Sequence, residues 1–238
     1  SEEDKIERAQ DIFEELNIGS LTGKKILDFG CGDGLVAKCA LEAGPDLSIG
    51  YDPNLKKEIQ YDNFLLTKNV DDLKKNAPYD FILLYDLVDH LDQVGPSLKF
   101  INSLCHDETR LLLRCHPWSS RHGAHIYRKL NKAYCHLFLT EDEISQLTDE
   151  KITTVQKIIY PVSTYKYYIK KAGFDIVSCE VEKQPIESFF LSHDQVRERI
   201  LEIWSNGTGE KFPKLQLETS FVDFEIRLSQ PNAGAKIK

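Results

Sequence analysis

The stretch Lys25-Ile-Leu-Asp-Phe-Gly-Cys-Gly-Asp-Gly-Leu35 decides the fold. Its first five residues are a short, mostly apolar run of the kind that forms a buried strand. Gly30, Gly32 and Gly34 then remove side-chain bulk from the turn, so that a ligand can approach the backbone. Leu35 to Ala43 reads as a helix stopped by Gly44-Pro45. Strand, glycine loop and helix together open an α/β sheet with a nucleotide site at its first crossover.

The following segments repeat the alternation. Leu47 to Asp52 reads as a second strand, Leu55 to Gln60 as a helix, Asn63 to Thr67 as a third strand and Asp71 to Asn76 as a short helix. Tyr79-Asp-Phe-Ile-Leu-Leu-Tyr-Asp86 is a near-continuous apolar run, as expected for a strand covered on both faces. A helix over Pro96 to Ser103 and a fifth strand from Thr109 to Cys115 follow. Val162 to Ala172 is a helix ended by Gly173, and Asp175 to Glu182 is a strand. A helix over His193 to Ser205, a turn at Asn206-Gly-Thr-Gly209 and a strand over Phe221 to Leu228 complete the series. The expected fold is α/β, a doubly wound and mostly parallel seven-stranded sheet with an inserted segment after the fifth strand.

The rest of the chain is arranged around this sheet as one domain over residues 1–238. Ile6, Ala9, Ile12, Phe13 and Leu16 recur at helical spacing, giving an N-terminal helix within residues 1–19. Residues 115–160 form a polar and aromatic insertion longer than a plain connection needs. Within it, Ile126 to Ala133 reads as a helix, and Thr140-Glu-Asp-Glu143 as a capping box opening a helix through Leu147. Residues 230–238 read as a loose tail.

Composition narrows the function. Hydrophobic residues at 41% and charged residues at 29% are ordinary for a globular chain. A net charge of -8 excludes a protein that grips long nucleic acid over a broad basic surface. No apolar run approaches a membrane span, and the acidic, amphipathic start is unlike a signal peptide, so a cytoplasmic location without membrane partners is expected. The six cysteines lack CxxC pairs and are expected to be reduced. The sequence contains no Met, for which we have no physical account.

Asp52 stands at the end of the second strand, where an acidic side chain accepts both hydroxyls of a ribose. A dinucleotide oxidoreductase would also place an acid there, but its loop is GxGxxG. This loop is GxGxG, with Ala37 two positions too late for the third small residue.

The run ILDFGCGDG, followed by YDP, resembles the class I S-adenosylmethionine-dependent methyltransferases, a Rossmann-like family. The likeness is good over residues 20–115 and loose over the last two strands. It implies S-adenosylmethionine as methyl donor. Asp28 would lie near the methionine moiety, with Phe29, Gly30, Cys31, Gly32 and Gly34 along the cofactor. Asp52 and Pro53 would lie at the ribose, and Asn69, Val70 or Asp71 at the adenine. YDFILLYDLVDHL matches the family form in which a polar group ends the fourth strand, making Asp86 a candidate at the methyl-transfer site with Asp89 and His90 just beyond. Asp28, Asp52 and Asp86 are expected on one crevice at the carboxyl ends of the strands, where three carboxylates would suit a cationic sulfonium.

The acceptor is sought in Arg114 to His136, which concentrates four histidines with Trp118, Arg121 and Arg128. Methyl transfer needs an aligned acceptor and removal of its proton, so His116 and His122 are the candidate bases, with Asp86 as a third catalytic residue. Trp118, Arg121, His125 and Arg128 are candidate substrate contacts. The pairs Cys105-His106, Cys115-His116 and Cys135-His136 fit no zinc spacing, and no metal is expected. Arg121, Arg128, Lys129 and Lys132 suit an anionic group on a small-molecule acceptor. The alternatives are an RNA partner, as for a cap or tRNA enzyme, and a regulatory protein that binds the donor without catalysis. Tyr85-Asp86-Leu87-Val88 is neither the Asp-Pro-Pro-Tyr type of motif nor a Pro-Cys nucleophile, which disfavours a DNA base substrate and favours a small molecule while leaving a cap or tRNA enzyme open.

Overall fold

The computed structural model describes residues 2–126, 128–149, 160–183, 193–196, 198–200, 202, 217 and 219–230. Two compact units make up the chain. One comprises Ser1–Arg114, Lys166–Cys179 and Phe224–Lys238, and the other Cys115–Tyr165 and Glu180–Asp223.

The strands are β1 (Lys25–Phe29), β2 (Leu47–Tyr51), β3 (Ile59–Tyr61), β4 (Phe64–Thr67), β5 (Tyr79–Tyr85), β6 (Cys105–Cys115), β7 (Phe174–Lys183) and β8 (Thr219–Leu228). They form one sheet in the order β3-β4-β2-β1-β5-β6-β8-β7. β1 lies at its centre, parallel to both β2 and β5. The expected doubly wound α/β sheet is present, with eight strands among the described residues in place of seven. The extra strand is β3, in the segment Leu55 to Gln60 expected to be helical. Ile59 and Tyr61 pair antiparallel with Leu66 and Phe64 across the two-residue turn Asp62-Asn63, with Asp62 at φ 38.

The helices are α1 (Glu2–Glu15), α2 (Leu35–Cys39), α3 (Val70–Asn76), α4 (Val94–Asn102), α5 (Cys135–Phe138), α6 (Glu141–Thr148) and α7 (Val162–Lys171). α2 continues as a 3-10 turn over Ala40–Ala43 that ends at Gly44, in the left-handed conformation. Because strand side chains alternate between faces, β1 serves two layers. Ile26 packs with Phe13, Leu16, Val36, Ala40, Phe81 and Leu83 beneath α1 and α2. Phe29 points to the opposite face, where its ring meets Phe100 of α4 at 6.2 Å. This alternation later separates Asp28 from its neighbour. Among the described residues no helix is long and apolar enough to cross a membrane.

The second unit has its own core of Trp118, Ala124, Ile126, Tyr134, Cys135, Leu137, Ile144, Ile200 and Leu217. The helix expected over Ile126 to Ala133 is not formed. Ile126 O accepts from Lys129 N and Leu130 N, a single turn, and the chain then reverses at Tyr134 with φ 57. α6 begins as expected, with Thr140 Oγ1 accepting from Glu143 N at 3.2 Å and Glu143 Oε2 accepting from Thr140 N at 2.8 Å. Thr140→Ala removes the Oγ1 that accepts from Glu143 N while keeping the backbone N–H of the second bond, and should destabilise the protein by about 1 kcal/mol in denaturant unfolding. Residues 194–196 and 198–200 are helical as expected. The turn at 206–209, residues 150–159 of the insertion and the tail beyond Gln230 lie outside the described residues.

Candidate functional site

The parallel register brings the ends of three strands together. Phe29 pairs with Tyr51, so the glycine loop leaves β1 beside the end of β2, and Asp28 pairs with Leu83 of β5. Tyr51 O accepts from Gly30 N at 2.7 Å and from Cys31 N at 3.0 Å. Asp52 completes the attachment, with Oδ2 accepting from Gly32 N at 3.1 Å and Oδ1 from Asn54 N at 2.8 Å. One side chain therefore holds the loop and the turn after β2 together, and a carboxylate oxygen retains further lone pairs for hydroxyl donors.

Gly30, Gly32 and Gly34 all have positive φ, at 87°, 58° and 81°. A Cβ on Gly30 would clash with Leu87 Cδ1, and one on Gly34 with Leu66 Cδ2, whereas one on Gly32 would meet nothing within 4 Å. The loop is thus packed at its two ends and open in the middle. Gly30→Ala is expected to cost about 1–2 kcal/mol of stability through left-handed strain. It also displaces Leu87, so donor affinity measured by calorimetry should fall about tenfold.

A cleft of ≈ 540 Å³ lies over these strand ends. Phe29, Gly30, Asp52, Pro53 and Asp86, all expected from the sequence, are among its walls. So are Tyr51, Asn54, Leu87, His90, Leu91 and Ser97. The size suits a small-molecule ligand. Phe29 and Tyr51 form an aromatic side, their rings 5.0 Å apart. Asp86 ends β5 with φ 48, a left-handed conformation that Asp tolerates better than most residues, and its N–H donates to Arg114 O at 3.1 Å.

Three expected features of this crevice are placed differently. Asp28 is buried and does not line the cleft, because it points to the α2 face of β1 while Phe29 points to the α4 face. Burial, opposed by a hydrogen bond from the Ala37 backbone and reinforced by Asp52 and Asp33, pushes its carboxyl up to about 7. Cys31, Gly32 and Gly34 lie along the loop outside the cleft walls. Asn69 caps α3 by accepting from Asp71 N at 3.0 Å, and Asn69, Val70 and Asp71 also lie outside those walls. Among the walls not expected from the sequence, Leu87 and Leu91 are apolar and carry no chemical signal, and Tyr51 lies within the expected second strand.

The candidate residues of the second unit have their own surroundings. Trp118 is buried in that unit's core, its ring 4.5 Å from His136. His136 Nε2 donates to Trp118 O at 2.7 Å, and burial lowers its pKa to about 4, so it is neutral in the core. His116 Nδ1 donates to Ser220 O at 3.0 Å, and its ring meets His125 at 5.7 Å. Burial, with Arg121 and His116 nearby, lowers the pKa of His122. Arg121 and Arg128 are exposed. None of the six cysteines forms a disulfide.

The chain matches the family model of a methyltransferase domain over residues 2–179. No curated protein sequence matches it significantly. Among solved structures, a Listeria monocytogenes protein assigned to the S-adenosylmethionine-dependent methyltransferases aligns with a TM-score of 0.56 at 13% identity, covering 93% of this chain and 98% of that one. An S-adenosylmethionine-dependent methyltransferase from Archaeoglobus fulgidus gives 0.54 at 15% identity, covering 93% and 94%. The plantazolicin methyltransferase BamL, in complex with a triazolic desmethylPZN analog and SAH, gives 0.50 at 14% identity, covering 94% and 84%. At these identities the alignments establish the shared fold, and the family match carries the assignment. The chain belongs to the class I S-adenosylmethionine-dependent methyltransferases.

Proposed function

We propose that the cleft over β1, β2 and β5 holds S-adenosylmethionine and that the enzyme transfers its methyl group to a small acceptor. The observation that carries this reading is Asp52, fixed by Gly32 and Asn54 at the mouth of the glycine loop and lining the cleft. There its carboxylate accepts the ribose hydroxyls, while Asp86 supplies negative charge for the sulfonium. Asn69, Val70 and Asp71 remain the proposed adenine side, at the end of β4 beside β2. Asp28, Cys31, Gly32 and Gly34 support the loop from beneath and along its length.

We assign acceptor selection to residues 115–160, on their concentration of His116, Trp118, Arg121, His122, His125 and Arg128. The exposed Arg121, Arg128, Lys129 and Lys132 favour an acceptor with an anionic group. The small-molecule complex of BamL supports an acceptor of that size class. Free thiols support a reducing, cytoplasmic location. The test is transfer from labelled S-adenosylmethionine into separated metabolite and RNA pools. Label in anionic metabolites is the expected result; label in RNA alone, with binding that weakens steeply in salt, would replace the small acceptor by RNA.

A further inference from the structure

We propose that His90 takes the acceptor's proton during methyl transfer, and that the acceptor is therefore a hydroxyl or an amine. This rests on the reading of the cleft as the donor site. His90 lines the cleft together with Asp86 and Ser97, and its side chain is exposed there. A rigid support holds it. Asp86 turns the chain in a left-handed conformation, and Val88–His90 forms one 3-10 turn in which His90 N donates to Leu87 O at 2.8 Å. Val88 and Asp89, at 1% and 0% exposure, are buried while His90 stands at the wall, and a carboxylate oxygen of Asp89 lies within 4.8 Å of a His90 ring nitrogen, a negative neighbour for the imidazole.

The division of labour follows from side-chain chemistry. Among the cleft walls the ionisable side chains are Asp52, Asp86, His90 and Tyr51. Asp52 is committed to the glycine loop, and a carboxylate is most useful opposite the cationic donor. Imidazole is the side-chain type suited to accept and release a proton near neutral pH. In the step, the acceptor's lone pair forms a bond to the methyl carbon as the carbon–sulfur bond breaks. That electron pair stays on sulfur, giving S-adenosylhomocysteine. The proton leaves the acceptor oxygen or nitrogen for a ring nitrogen of His90, which then returns it to solvent.

The first test needs no acceptor. The protein is labelled with ¹⁵N-histidine and its imidazoles are titrated in saturating S-adenosylmethionine and, separately, S-adenosylhomocysteine, with the His90 signal identified by its loss in His90→Gln. The sulfonium charge should lower the His90 midpoint by about one pH unit relative to the neutral thioether, and more than that of any other histidine. Identical His90 midpoints in the two complexes would overturn the proposal. Failure of both ligands to bind would remove the donor-site reading together with it. In pools that the native protein methylates, His90→Gln should lower the rate at least about 100-fold and abolish the acid limb of the pH–rate profile, with donor Kd within about threefold. An unchanged rate and profile would also overturn it.

Discussion

Asp52→Ala is expected to weaken S-adenosylmethionine binding at least about 100-fold, the equivalent of losing two hydrogen bonds to a charged acceptor. Two losses combine. The ribose hydroxyls lose their acceptor, and Gly32 N and Asn54 N lose the carboxylate that ties the glycine loop to the end of β2. Asp52 lies on the surface side of the strand ends, so the variant should still fold, and its circular dichroism should match that of the native protein. Asp52→Glu keeps the charge but shifts it by a methylene, and should recover only part of the affinity. Calorimetric titration of each variant checks the order native, Glu, Ala. Native affinity in Asp52→Ala would remove this residue from the donor site.

Asp28→Asn is expected to stabilise the protein at pH 8 and to have little effect at pH 4. The folded protein holds the Asp28 carboxyl at about 7 against an ordinary value of 3.8, chiefly because of burial. Between those values the folded chain keeps a proton that the unfolded chain has released. The contribution of Asp28 to stability is therefore fullest below 3.8, falls as pH rises through this window, and levels off above about 7. At about 1.4 kcal/mol per pH unit, the difference between variant and native protein should grow by on the order of 4 kcal/mol across the window. Asn keeps an oxygen to accept the backbone hydrogen bond from Ala37, so the comparison isolates the charge. Urea unfolding of both proteins at a series of pH values measures it; a pH-independent difference would contradict the burial-driven shift.

Much of the fold and part of the site are legible in the sequence, and the misses have local causes. The strand, glycine loop and helix from Lys25 to Ala43 are readable because backbone conformation there demands glycine and the strand is buried on both faces. Asp52 is readable because parallel register fixes which residue of β2 meets the loop. The burial of Asp28 is harder to read: strand ends converge, but side chains one residue apart face opposite layers, so Asp28 lies in the interior and Phe29 at the cleft wall. β3 is hidden because the lysines of residues 55–60 look like a helix face. The decisive signal is instead Asp62-Asn63 set between the alternating pairs Ile59, Tyr61 and Phe64, Leu66. The segment from Ile126 to Ala133 has helical spacing, yet burial of Ile126 and Tyr134 in the second unit's core overrides it. His90 is visible only as a residue beyond the fourth strand, since nothing in the sequence shows that its two predecessors are buried.

The most direct test of the account is a crystal structure of the protein grown with S-adenosylhomocysteine. The ligand is expected in the cleft, with its ribose hydroxyls on the Asp52 carboxylate, its homocysteine chain along Gly30 to Gly34 and its sulfur on the side of Asp86 and His90. A ligand bound elsewhere, or a ribose held without Asp52, would contradict it.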